Sequence, residues 1–187
     1  MDKNVIAVVG MAGAGKSEAT RHILNNYEWP KVYFGEATFD RLKEEGMEVN
    51  YENEKYIREK IRRERGMAAY AELALPKIKE HLKNNDAVLL ESLYSWEEYR
   101  TIKDEYGDNF KVLAVYSSPA TRFQRLQNRK KERPITDEEE FKQRDRTEIE
   151  GTNKGGPIAV ADWTVINEYD IDHLHKEVEG FIEGLKY

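Results

Sequence analysis

One stretch constrains this chain more than any other. Gly10-Met11-Ala12-Gly13-Ala14-Gly15-Lys16-Ser17 fits the spacing G-x-x-x-x-G-K-[ST] at every fixed position. Backbone amides of such a loop converge on phosphate oxygens, and side chains would obstruct that approach. Gly and Ala fill four of the five positions between Gly10 and Lys16, which leaves an anion room. Lys16 is placed to neutralise terminal phosphates and Ser17 to offer a hydroxyl to Mg²⁺. The apolar run Val5–Val9 ahead of the loop reads as a buried strand rather than as the core of a leader peptide. A helix over Lys16–Asn26 would point its positive end at the same anion. Gly10, Gly13, Ala14, Gly15, Lys16 and Ser17 are therefore the candidate nucleotide contacts.

The rest of the chain alternates short apolar runs with longer polar stretches, the signature of a parallel sheet wrapped by helices. Further strands are expected at Val32–Phe34, Ala87–Leu90, Lys111–Tyr116 and Thr164–Ile166. Helices are expected at Thr38–Glu45, Glu52–Arg65, Ala68–Lys83, Trp96–Tyr106, Ser118–Asn128, Asp137–Glu150 and from Ile171 onward. Pro76 should kink or restart the helix that contains it. Ser95 and Glu98 have capping-box spacing. Asp137–Glu150 has only Phe141 and Ile149 as large apolar residues, too few for deep docking. It reads equally as a hinged flap or as a solvated surface helix. The stretches 129–134 and 152–157, on either side of it, read as mobile.

At 187 residues, the chain has the size of one domain. Its 30 basic and 36 acidic residues give a formal charge of −6, which argues against a general nucleic-acid binder. No apolar run reaches the ~20 residues of a membrane span. The absence of cysteine excludes disulfides and thiolate chemistry. It fits a reducing compartment, so the expected location is the cytoplasm. The four histidines show no metal-ligand arrangement and read as surface or boundary residues. A GTPase would need Asn-Lys-x-Asp, but the only Asn-Lys pair, Asn153-Lys154, is followed by Gly156 at the aspartate position. An AAA-type or helicase motor normally needs a longer chain, whereas the size suits a small-molecule kinase.

Beyond the loop, Gly66-Met67-Ala68-Ala69, Leu75-Pro76-Lys77-Ile78, Ser118-Pro119-Ala120-Thr121-Arg122, Arg144-Asp145-Arg146 and Ala161-Asp162-Trp163 extend a resemblance from residue 5 to about 182. The chain resembles the nucleoside-monophosphate-kinase-like P-loop kinases. Among them it is most similar to an uncharacterised, largely archaeal group related to adenylate kinase and dephospho-CoA kinase. The resemblance implies an α/β, three-layer P-loop NTPase fold with a five-stranded parallel sheet in the order 2-3-1-4-5. It implies a single domain over 1–187, with an acceptor-binding helical insert near 36–70 and a lid near 129–155. The implied reaction moves the γ-phosphoryl of ATP, with Mg²⁺, to a small-molecule acceptor such as a nucleoside monophosphate or dephospho-CoA.

Several residues fit that plan. Arg122, Arg125 and Arg129 share one helical face, and Arg133, Arg144 and Arg146 follow. Arginines on a closing lid would supply charge to a migrating phosphoryl group and exclude water. They could instead pair with Glu138–Glu140 on a solvated face. Arg129 and Arg144 are the catalytic candidates, and Arg125 is a nucleotide contact. Glu91, at a strand end beside the loop, would hold Mg²⁺ through water or orient the attacking hydroxyl. Asn167 is a candidate base contact. Arg58, Arg62 and Arg65 share a helical face suited to an acceptor's phosphate, and Arg62 matches the family arginine. Gly35 begins the acceptor side, where relatives carry Gly-Asp and then an arginine. Here Phe39 stands in the arginine's place, and Tyr94 ends the stretch where relatives carry Asp-Gly-x-Arg. Phe39 and Tyr94 would stack on a base or line an apolar pocket, or else pack in the core. Loss of those two charges leaves a second reading open, a nucleotide-binding regulator or slow ATPase without a working acceptor site.

Overall fold

Val5 to Val9 are all buried, so the strand they build has no solvent-facing side and must be central. In the computed structural model, which describes residues 3–129 and 134–185, this strand is β1 (Asn4–Val9). β1 pairs in parallel with β3 (Ala87–Glu91) on one side and β4 (Phe110–Tyr116) on the other. The short strands β2 (Lys31–Tyr33) and β5 (Trp163–Ile166) form the edges. The order is β2-β3-β1-β4-β5, all parallel, as the resemblance implies. β2 lies one residue earlier than the sequence suggests, because Lys31 already pairs with Leu89.

Helices cover both faces. α1 (Lys16–Asn26) and α9 (Ile171–Gly184) bury Ala19, Ile23, Leu174, Val178 and Phe181 against one. The other face carries α2 (Glu36–Glu44), α3 (Tyr51–Arg65), α4 (Ala69–Asn84) and α5 (Trp96–Tyr106). α5 begins with the expected capping box: Glu98 N donates to Ser95 Oγ and Ser95 N to Glu98 Oε2, both at 3.0 Å. α4 continues through Pro76, so the proline does not restart the helix. Burial of Ala71 and Ala74 before the proline and of Ile78 and Leu82 after it holds both halves on the core. That packing outweighs the ~3 kcal/mol a helix-interior proline costs. No helix of the described residues is long and apolar enough to cross a membrane.

A third cluster positions the segment after α6 (Pro119–Gln127). α7 (Glu138–Arg146) is nearly all polar, yet Phe141 is 4% exposed and packs with Ala12, Leu126 and Ile135. Asp145 adds a bidentate ion pair to the buried Arg122, with contacts of 2.8 and 2.5 Å. One aromatic anchor and one buried pair thus dock a helix whose composition argued for a free surface position. Ile149, its other large apolar residue, is exposed. The α-helical part stops at Arg146, and Thr147–Gly151 widens into a π turn. The sequence suggests a loop over 152–157, but α8 (Gly155–Ala159) forms there. Lys130 to Arg133, part of the charged turn read as mobile, lie outside the described residues.

Phe141→Ala should lower unfolding stability by about 3 kcal/mol, the cost of a large-to-small core change. Denaturant unfolding gives the magnitude. Hydrogen exchange should quicken first over residues 134–151.

Candidate functional site

The loop that follows β1 turns tightly enough to need glycine. Gly13 and Gly15 have φ of +81° and +108°, in the left-handed region. A Cβ on Gly13 would lie 2.8 Å from the Arg122 carbonyl oxygen, so the loop also presses directly on α6. From behind, three donors converge on the Ala14 carbonyl: Asn167 Nδ2 at 2.8 Å, Ser117 Oγ at 3.2 Å and Arg125 Nη1 at 3.4 Å. Arg125 also donates to the Asn167 carbonyl at 3.0 Å. Arg125 and Asn167, the candidate nucleotide and base contacts, thus both bond the loop at the Ala14 carbonyl and do not line the cavity beside Lys16. Arg122, on the same face, bonds Ala12 O and Asp145 instead of facing the cavity.

In front of the loop lies a cavity of about 180 Å³. Lys16, Ser17, Glu91, Arg129 and Arg144 all line it, as the sequence reading requires. α1 starts at Gly15 with no side-chain cap, so its first amides are left for a ligand. Lys16 Nζ donates to Met11 O at 3.0 Å. Burial, together with nearby Lys154, Arg129 and Arg144, lowers its pKa to about 7 against the opposing pull of Glu148. Glu91 pairs with Lys31 at 2.6 Å and keeps part of its carboxylate at the cavity. Arg146 lies exposed, away from it.

Two further lining residues are absent from the sequence reading. Glu148 Oε2 accepts from Ala12 N at 3.3 Å and from Lys154 Nζ at 2.7 Å. Its Oε1 accepts from Arg144 Nε at 3.3 Å. Burial pushes this carboxyl up, but Lys154, Lys16 and Arg144 outweigh it and hold the pKa below the usual value. Lys154 is 5% exposed, and its ammonium lies 4.5 Å from the centre of the Tyr94 ring. Burial lowers its pKa, with Glu148 opposing. The signal for both residues lies in the π turn that aims Glu148 inward, a feature with no sequence marker here.

A second cavity, about 200 Å³, adjoins the first at Ser92 and Tyr94. The expected acceptor residues Gly35, Phe39, Arg62 and Tyr94 all line it, with Arg58. Phe39 is 36% exposed, so it is a wall residue and not core. Arg58 pairs with Glu54 at 3.1 Å. Arg62 lies 5.5 Å above the Tyr70 ring, and its Nε is buried with no hydrogen-bond partner. A buried donor left without a partner costs free energy. Arg65 departs from the shared face: it pairs with Glu72 and lines a separate cavity. Ser92 takes a left-handed φ of 70°, a strained conformation at the junction of the two cavities.

The oxygen donors Ser17 and Glu91 suit Mg²⁺, which binds through few protein ligands plus phosphates and water. Among the described residues no group of three or more His, Cys, Asp or Glu is arranged to hold a metal alone.

Comparison with known proteins agrees with this geometry. Residues 6–149 match the model of the AAA_18 family, described as an AAA domain. The UPF0200 protein of Thermococcus sibiricus is 33% identical over 97% of this chain and 95% of its own length. That of Methanocaldococcus jannaschii is 34% identical over 97% and 90%. Shikimate kinase from Bacteroides thetaiotaomicron superposes with a TM-score of 0.58 at 18% identity, covering 98% of this chain and 99% of that one. A gluconokinase from Sinorhizobium meliloti gives 0.52 at 15%, covering 98% and 95%. At such identities these two show the shared fold.

The lowered pKa of Lys16 has a measurable consequence. At pH 8 the free lysine is mostly neutral, and a bound polyphosphate would restore its proton. Nucleotide binding should then take up protons at pH 8, and the Lys16 share should vanish by pH 6. Calorimetry in buffers of different ionisation enthalpy reads this, and Lys16→Arg should reduce the uptake.

Proposed function

The chain belongs to the UPF0200 family, and on that premise we propose that it is an ATP-dependent kinase of a small molecule. The observation that carries this reading is the pair of cavities that meet at Ser92 and Tyr94. One is lined by the phosphate loop; the other is lined by Arg62, Phe39 and Tyr94. In the proposed reaction the γ-phosphorus bonds to an acceptor oxygen as its bond to the β-phosphate oxygen breaks. ADP leaves with the electron pair; an attacking hydroxyl loses its proton to water, whereas a phosphate acceptor attacks through an oxygen that carries none.

The protein's part is position and charge rather than covalent chemistry. Loop amides and Lys16 hold the phosphates. Arg129 and Arg144 face the migrating group from the segment 129–155, which acts as the lid. Ser17 and Glu91 would hold Mg²⁺, whose charge offsets that of the β- and γ-oxygens. Arg62 grips an anionic group of the acceptor, and Phe39 and Tyr94 flank its body. The segment 36–70 then acts as the acceptor-binding insert. A nucleotide or nucleotide-like acceptor follows from the sequence resemblance. The modest cavity and the kinase neighbours also favour small hydroxylated anions, so both classes belong in the test.

A regulator or slow ATPase is the second reading, favoured by Phe39 and Tyr94 standing where relatives carry arginines. ADP release from Mg·ATP, measured across nucleoside monophosphates, dephospho-CoA and hydroxylated carboxylates, separates the two. Acceptor-dependent release supports the kinase. Slow release indifferent to every acceptor, yet lost in Lys16→Ala, supports the second reading. Lys16→Ala should abolish turnover with the fold intact. With the acceptor in hand, Arg62→Ala should raise its KM by about ten-fold or more, the worth of a charged hydrogen bond, and leave the KM for ATP unchanged.

A further inference from the structure

An ammonium group is costly to bury, and Lys154 is 5% exposed. It lies 2.7 Å from Glu148, and that same carboxylate oxygen accepts from the Ala12 amide of the phosphate loop. Glu148 also bonds Arg144. A carboxylate of the chain therefore holds donors that a nucleotide's phosphate oxygens would use. The two residues are also tied through the backbone, since Lys154 N donates to the Glu148 carbonyl at 3.3 Å. Lys154 lines the phosphate-loop cavity and sits over Tyr94, the side chain that lines both cavities.

We propose that Lys154 is a further phosphoryl-binding residue and that Glu148 is a built-in stand-in for the anion it binds. When a nucleoside triphosphate enters, its terminal phosphoryl displaces the Glu148 carboxylate from Ala12 N and Lys154. The freed ammonium then holds that phosphoryl beside the acceptor cavity. Lys154 forms and breaks no covalent bond. Its position selects the group that transfers over the phosphates nearer the α1 N-terminus. Glu148 keeps the ammonium paired until then, so it competes with nucleotide. The inference rests on the kinase reading of the same site and adds the residue that tells a triphosphate from a diphosphate.

The test is equilibrium binding of Mg·ADP and of a Mg·non-hydrolysable ATP analogue to the full chain, by calorimetry. Lys154→Met should weaken the triphosphate analogue about ten-fold, the worth of a charged hydrogen bond, and leave ADP within about two-fold. Glu148→Gln should tighten the triphosphate analogue several-fold. Equal weakening of both nucleotides by Lys154→Met, or no change in either, overturns the proposal. If Lys154→Met does not fold, Lys154→Arg and Glu148→Gln decide it. Lys154→Arg should keep the preference for triphosphate, and unaltered affinity in Glu148→Gln overturns the proposal. Lys16→Ala is the control. Loss of both nucleotides there, with no effect at Lys154 or Glu148, defeats this inference alone. Absence of nucleotide binding in the wild-type chain defeats the kinase reading, and this inference with it.

Discussion

Charged side chains crowd the front of the phosphate loop. Lys16, Arg129, Arg144 and Lys154 face the cavity, against Glu148 and a Glu91 already paired with Lys31. The uncapped start of α1 adds further positive potential. Such an arrangement is costly to bury: desolvation first, and then the neighbouring cations, lower the pKa of Lys16 to about 7. The structure tolerates it because the loop is fixed from behind. Asn167, Ser117 and Arg125 converge on one carbonyl, and β1 is locked between two parallel neighbours. The rigid loop keeps these charges in place beside it.

The other cavity is electrically different. Arg58 is paired with Glu54, and Glu98 is buried nearby, its pKa raised by desolvation despite two backbone amides donating to it. Its local charges nearly cancel. Arg62 and the aromatic walls Phe39 and Tyr94 line it. Under the proposed function the two neighbouring cavities would divide the work, charge for the donor and shape with one anchor for the acceptor.

Local features were legible in the sequence, and long-range ones were not. The loop, its flanking strand and helix, and the capping box at Ser95 each depend on residues close together along the chain. Phe39, Arg62 and Tyr94 came from resemblance, and they do line one cavity. Glu148 and Lys154 were invisible because a π turn, without any compositional mark, aims the first of them inward. Helical spacing put Arg125 on one face with Arg122 and Arg129, but spacing says nothing of which neighbour the face meets, and here Arg125 bonds Ala14 and Ser117. Phe141 shows that a single aromatic residue plus one buried ion pair can dock a helix of otherwise polar composition. Pro76 shows packing outweighing a local rule.

Phosphorus NMR of the protein with Mg·ATP and the acceptor mixture tests the central claim most directly, because it follows the γ-phosphoryl to its destination. The account predicts that the γ resonance falls as ADP and a new phosphorylated acceptor appear in equal amounts. Inorganic phosphate as the only product beside ADP, whichever acceptor is present, would contradict it.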